Sequence, residues 1–102
     1  IKKTGKLIAV DSSNKSFSVS SEIIADISIK LHKHLQSSPR RLALEDAPAP
    51  TSFGLTEFYY NGALEIYDEA LSVMGIKEKN TKSKFKKDKP HDVPGDWFKG
   101  PF

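Results

Sequence analysis

The chain has 102 residues, 37% of them hydrophobic and 28% charged, with a formal net charge of +3 and no cysteine. These values suit one small globular domain with a modest core, since short chains cover a smaller fraction of their apolar surface than long ones. The missing thiols exclude disulfides and thiolate metal sites and make a reducing cytoplasm the default compartment, while no apolar run approaches the roughly 20 residues that span a bilayer.

The charge is unevenly spread. Residues 77–102 carry a net +4, which leaves −1 for residues 1–76. A nearly neutral body with a basic tail is the expected organisation. The lysines at the start are not followed by an apolar stretch long enough for a signal peptide. The chain opens on Ile1 within a few residues of a strand, which suggests a sequence cut from something longer.

Lys6-Leu7-Ile8-Ala9-Val10-Asp11 reads as a strand covered on both faces, because its apolar residues are consecutive. Ser12-Ser13-Asn14-Lys15-Ser16 is a polar turn cluster, followed by Phe17 and Val19, which could pack as the loop crosses the strand ends. A helix is expected from Ser20 or Ser21 as cap, with Glu22 in its first turn and Ile23, Ile24, Ile27, Leu31 and Leu35 as one buried stripe. Ser37-Ser38-Pro39 stops it. Arg40-Arg41-Leu42-Ala43-Leu44-Glu45 alternates and reads as a second strand nearer the sheet edge. A strand, a helix and a strand joined by short connections form a βαβ crossover with parallel strands, so the fold class is α/β.

The prolines of Asp46-Ala47-Pro48-Ala49-Pro50-Thr51-Ser52 require an extended segment. Half of the ten aromatic residues then fall between 53 and 67, a content expected to pack across another surface. A second helix from Gly62 to Met74 should bury Ala63, Ile66, Tyr67, Ala70, Leu71 and Met74, with Gly75 as its left-handed terminator. From Lys77 to Lys89 the composition is that of a solvated linker. The last stretch, from His91 to Phe102, holds the only tryptophan and two phenylalanines and reads as a docking peptide.

Few residues suggest chemistry. His32 and His34 lie about 200° apart around a helix and cannot chelate one metal, and His91 stands alone. There is no glycine-rich phosphate fingerprint. Ser12, Ser13, Ser18, Ser20 and Ser21 have no histidine in a triad arrangement and are explained by capping and loop solvation. Asp11 and Glu45 each end a strand, where open α/β sheets place their sites, but two carboxylates without a defined partner are ordinarily structural. The lysine run could meet nucleic acid or an acidic partner, although a solvated linker is the plainer reading.

One set of motifs is more specific. Ile1-Lys2-Lys3-Thr4-Gly5-Lys6-Leu7-Ile8-Ala9-Val10-Asp11, Ser21-Glu22-Ile23-Ile24-Ala25, Pro39-Arg40-Arg41-Leu42, and Asp46-Ala47-Pro48-Ala49-Pro50 with Leu55-Thr56-Glu57 occur in one order over residues 1 to about 60. Together they resemble the second half of the transketolase C-terminal domain, and more narrowly the beta subunit of the E1 component of 2-oxo acid dehydrogenases of the pyruvate and branched-chain group. The ending from Asp92 to Phe102 resembles an extended terminus found in some members.

The resemblance implies a partial three-layer α/β/α domain over residues 1–76, with residues 77–102 as basic linker and aromatic docking peptide. It implies a parent enzyme, an alpha–beta heterotetramer, that uses thiamine diphosphate and magnesium to decarboxylate a 2-oxo acid and to acylate a lipoyl group on E2. The family's cofactor ligands and catalytic residues match nothing here, so no catalytic, cofactor-binding or metal-binding residue is assigned to this chain. The implied partners are the remainder of an E1 beta chain and E1 alpha and beta subunits, with E2 as a further candidate, and neither a membrane nor nucleic acid is expected. Two departures stand out. Ser18 and Ser20 occupy positions that are glycine in many members, and the acidic residue that contacts E2 in some members matches Gln36 or its neighbours, all uncharged. The alternative from a different class is a non-enzymatic interaction module that presents its aromatic segment and basic tail to a protein or nucleic acid.

Overall fold

A computed structural model of the protein describes residues 1–77, Val93 and residues 98–101. Its elements are β1 (Ile8–Asn14), α1 (Val19–Leu31), a short 3-10 turn (His32–His34), β2 (Arg40–Leu44), α2 (Phe53–Tyr59) and α3 (Ala63–Met74). β1 and β2 pair in parallel, with Ile8 opposite Arg40, Ala9 opposite Arg41 and Val10 opposite Leu42. The expected βαβ unit is therefore present.

The two helices that flank this sheet lie on opposite faces. Arg40 pairs with Glu69 of α3 at 3.3 Å, whereas its neighbour Arg41 donates to the Ser21 hydroxyl of α1. Adjacent residues of a strand point to opposite faces. The result is α1, a two-stranded sheet and α3 in three layers, a partial α/β/α arrangement. Among the described residues each strand has a single neighbour, so there β2 is no nearer an edge than β1.

β1 starts and ends later than its apolar run. Beyond Val10 the register shifts, and Asn14 is opposite Leu44. Residues 11–13 thus bulge against Ala43 alone, and the Lys15 N–H then donates to the Leu44 carbonyl at 2.8 Å. Asp11 does not end the strand, because its carboxylate accepts the Ser13 N–H within the bulge (3.0 Å) and lets the chain rejoin the ladder.

α1 begins earlier than expected. Ser18 is its cap, with extended dihedrals and a hydroxyl that accepts the Ser21 N–H at 3.2 Å. The α-helix ends at Leu31, and Leu35 lies beyond the 3-10 turn. Ile24, Ile27 and Leu31 are half-buried as the stripe requires, but Ile23 is exposed. Among the described residues the sheet beneath is two strands wide, and Ile23 lines an open cavity beside β1.

The segment 53–59 forms α2, a helix too short to show an apolar stripe in the sequence. None of its residues is buried, and Phe53, Leu55 and Phe58 are exposed, contrary to the expectation that this segment packs away its aromatics. Tyr59 is tied down by its hydroxyl, which donates to the Ala47 carbonyl at 2.9 Å.

α3 has Gly62 as cap, and the Glu65 carboxylate accepts the Gly62 N–H at 2.7 Å. Gly75, at φ +72°, closes it as expected. Its N–H reaches the Ser72 carbonyl and the Ile76 N–H reaches that of Leu71, the paired bonds of a Schellman turn. The buried face is rotated only in part from the expected one, for Tyr67, Ala70 and Leu71 are half-buried as expected. Val73 is its most buried residue and Leu64 is half-buried, whereas Ala63, Ile66 and Met74 are exposed.

Ala9, Ala43 and Val73 are the buried hydrophobic residues, and no large side chain among the described residues is fully buried. The expectations for the basic linker and the docking peptide fall almost wholly outside the described residues. Of the latter, Val93 and Phe98 are exposed.

Candidate functional site

The polar residues collect where both strands end, and they fasten the two strand exits together. Lys15 pairs with Glu45. Asp46 accepts the Ser16 N–H at 2.8 Å and the Ser16 hydroxyl at 2.7 Å. Arg41 donates to the Lys15 carbonyl at 2.7 Å and to the Ser21 hydroxyl. Asn14 adds its side-chain amide, which donates to the Glu45 carbonyl. The loop from β1 to α1 is thereby clamped to the residues that leave β2.

Asp11 holds the same loop from the other side. One carboxylate oxygen accepts the Ser13 N–H and the other accepts the Ser20 N–H, each at 3.0 Å. These backbone donors, Ser13 foremost, favour the ionised form and lower its pKa. Asp46 is lowered for the same reason by Ser16, with smaller contributions from the Arg41 and Lys15 charges. Both carboxylates are committed acceptors, ionised at neutral pH and poorly suited to take a proton in a reaction.

The residues singled out from sequence are therefore not brought together into one reactive centre. Asp11 ties the bulge to α1, Glu45 is in an ion pair, and Glu22 sits exposed in the first turn of α1. His32 and His34 are exposed in the 3-10 turn. Among the described residues no group of three or more His, Asp or Glu is placed to hold a metal. Ser18 and Ser20 are buried and their hydroxyls are 2.8 Å apart, which makes them part of the loop's internal bonding. Gln36 is exposed, and its backbone N–H donates to the Gly5 carbonyl at 2.7 Å.

Sequence reasoning did not foresee Arg41, Asp46 or the conformation of Phe17. Phe17 has φ +56° and is fully exposed, at 105% of its reference area. A bulky residue in the left-handed region is a genuine outlier. Here the bonds of Ser16 and Ser18 on either side fix the backbone through that position. The Asp that follows the β2 exit, four residues after Leu42, is the one signal that could have revealed the clamp, since Asp side chains commonly accept loop N–H groups.

A cavity of about 210 Å³ opens at the strand ends on the α3 side, lined by Val10, Asp11, Ser12, Leu44, Tyr60 and Asn61. Its walls are mainly apolar, Asp11 is already engaged, and the Asn61 amide donates to the Ala43 carbonyl at 2.9 Å. Two further cavities lie beside β1, one on each face of the sheet. The arrangement offers surfaces for packing and few groups for chemistry.

No family model matches the chain. Over 54 residues it is 37% identical to the pyruvate dehydrogenase E1 component subunit beta of Mycoplasma pneumoniae (strain ATCC 29342 / M129 / Subtype 1), a match that takes in 53% of this chain. The matched part amounts to 16% of that protein's length. Among the described residues no helix is long and apolar enough to cross a membrane. The chain is thus similar over about half its length to a short portion of a pyruvate dehydrogenase E1 beta subunit, carried on an α/β framework.

Proposed function

We propose that this chain is part of a 2-oxo acid dehydrogenase E1 beta chain and serves subunit assembly and partner docking, not the chemical step. The observation that carries this reading is the 54-residue similarity to an E1 beta subunit. The commitment of Asp11, Asp46 and Glu45 to hydrogen bonds and ion pairs within the loop clamp supports it. On this reading residues 1–76 are the second half of a transketolase C-terminal-like domain and residues 77–102 a linker and docking peptide. The parent enzyme is thiamine diphosphate- and magnesium-dependent, and its alpha and beta subunits are the partners.

Co-expression of the chain with the remaining part of an E1 beta subunit and with E1 alpha, followed by size-exclusion chromatography and native mass spectrometry, tests the assembly role. The expected result is a stable complex containing all three polypeptides. Failure to enter any complex refutes that role. Calorimetry with thiamine diphosphate and magnesium tests the absence of chemistry in the chain alone. Binding at about micromolar strength by a monomer would overturn the reading and return attention to Asp11, Glu22 and Glu45.

A second reading, an independent interaction module, is favoured by the exposure of Phe53, Leu55 and Phe58 on α2. It predicts capture of a partner that is not an E1 subunit, lost on Phe58→Ala.

A further inference from the structure

We propose that Asn61-Gly62, at the junction of α2 and α3, is a site of spontaneous deamidation that the fold holds closed, and that conversion of Asn61 to a carboxylate releases this junction from β2. This inference does not depend on the function proposed above. It rests on the order of these two residues, on the partner that each of them has, and on the cavity beside them.

In deamidation the backbone nitrogen of the following residue, once it has lost its proton, attacks the side-chain amide carbon of asparagine. The new carbon–nitrogen bond closes a succinimide ring and ammonia leaves. Water then opens the ring at either carbonyl, giving aspartate or its β-linked isomer. An amide and a water thus become a carboxylate and ammonia, and nothing is oxidised or reduced. A side chain on the attacking residue hinders the approach, so glycine, which has none, is the most reactive successor. Of the three asparagines, Asn14 precedes Lys15, Asn80 precedes Thr81, and only Asn61 precedes a glycine.

The structure restrains both reacting groups. The Gly62 N–H donates to the Glu65 carboxylate at 2.7 Å, and a proton held by an anion is harder to remove. The Asn61 amide donates to the Ala43 carbonyl at 2.9 Å. The Arg40 N–H and the Leu44 carbonyl both bond on the β1 side, so the backbone groups of Ala43 point away from β1, and Asn61 supplies the donor for this outward carbonyl. Ring closure needs the Gly62 nitrogen free of its proton and the Asn61 side chain free to turn toward it, so the reaction proceeds from a locally opened junction. Opening is favoured by α2, which has no buried residue. The cavity of about 210 Å³ that Tyr60 and Asn61 line with Asp11 has room for the water of the second step. The product undoes the tie, because a carboxylate at position 61 sets one acceptor against another at the Ala43 carbonyl. It also adds a second carboxylate to the cavity that Asp11 lines, and the β-linked isomer adds a carbon to the backbone directly before Gly62, the cap of α3.

Peptide mass spectrometry of the full chain over a time course at mildly alkaline pH tests the proposal by reading conversion at position 61. Wild type should convert roughly tenfold or more slowly when folded than in denaturing urea. The slowing should match the factor by which the fold protects the Gly62 N–H from hydrogen exchange, a readout that needs no variant. Glu65→Ala, with an unchanged far-ultraviolet circular dichroism spectrum, should convert faster than wild type in the folded state and at the same rate in urea. Asn61→Asp should lower the urea midpoint. Equal conversion in the folded and unfolded chains overturns the closed site, as does a slowing unrelated to Gly62 protection or a folded Glu65→Ala that converts no faster than wild type. Asn61→Asp with the wild-type midpoint overturns the release of the junction.

Discussion

Ile27 and Ile29 lie two residues apart on α1 with opposite surroundings. Ile27 is half-buried toward the sheet, and Ile29 is 77% exposed. Replacing either with Asp makes the same chemical change in the same helix, so the loss of intrinsic helix propensity is common to both. At position 27 the substitution forfeits about 1–1.5 kcal/mol of apolar burial, half the value for a fully buried isoleucine. It also desolvates part of a carboxylate without a designed partner, which costs about 1–3 kcal/mol. At position 29 the main penalty is repulsion from Asp26 one turn earlier, about 0.2–0.5 kcal/mol. The expected gap between the two variants is therefore about 1.5–4 kcal/mol, against a total stability of about 4–11 kcal/mol for a body of this size. Urea denaturation followed by far-ultraviolet circular dichroism measures it. Ile29→Asp should unfold near the wild-type midpoint, and Ile27→Asp at a markedly lower urea concentration. Equal midpoints would refute the assigned face of α1 and the layer order built on it.

Further outcomes follow from other features. Asp11 and Asp46 have pKa values lowered below the ordinary 3.8, so their contribution is fully present above that value and is lost as the pH falls through the lower folded-state pKa. An acid titration of the melting temperature should show this loss in wild type and a shallower one in Asp46→Asn; identical profiles would remove Asp46 from the clamp. Gly75→Ala should cost about 1–2 kcal/mol because φ is +72° there, although a methyl group would meet nothing within 4 Å. Gly54→Ala, in the first turn of α2 and equally uncrowded, should be neutral or stabilising by about 0.4–1 kcal/mol. Chemical denaturation of both separates backbone strain from packing, and similar effects at the two positions would contradict the left-handed cap. Lys30→Asp should cost under about 1 kcal/mol, since its ion pair with Asp26 is exposed.

What was legible in the sequence is what local chemistry dictates. The consecutive apolar run Leu7 to Val10, the helical spacing of Ile24, Ile27 and Leu31, the alternation around Leu42 and Leu44, and the glycine after Met74 each specify an element without help from distant residues. The misses share a different cause. Ser18 outcompetes Ser20 and Ser21 as cap because Asp11 takes the Ser20 N–H and Arg41 takes the Ser21 hydroxyl, and neither tie is visible in a window around the helix. The rotation of the α3 face and the exposure of Ile23 depend on the width of the sheet. A stripe shows which residues are apolar, but the sheet beneath decides which of them are covered. Asp46 and Arg41 carry no local signal, because their roles arise only when the strand exits meet.

The clamp at the strand exits also bears on the order in which the molecule folds. Its ties join residues 20 to 33 positions apart, from Arg41 with Ser21 to Asn14 with Ala47, whereas the cap and the turns of α1 are local. Bringing such distant groups together costs loop entropy that only a formed α1, which shortens the path from β1 to β2, can reduce. We infer that the clamp closes after the transition state. Asp46→Asn should then leave the refolding rate nearly unchanged and steepen the loss of the native state by speeding unfolding. Stopped-flow refolding of this variant slowed by as much as its equilibrium destabilisation would place clamp closure in the nucleus instead.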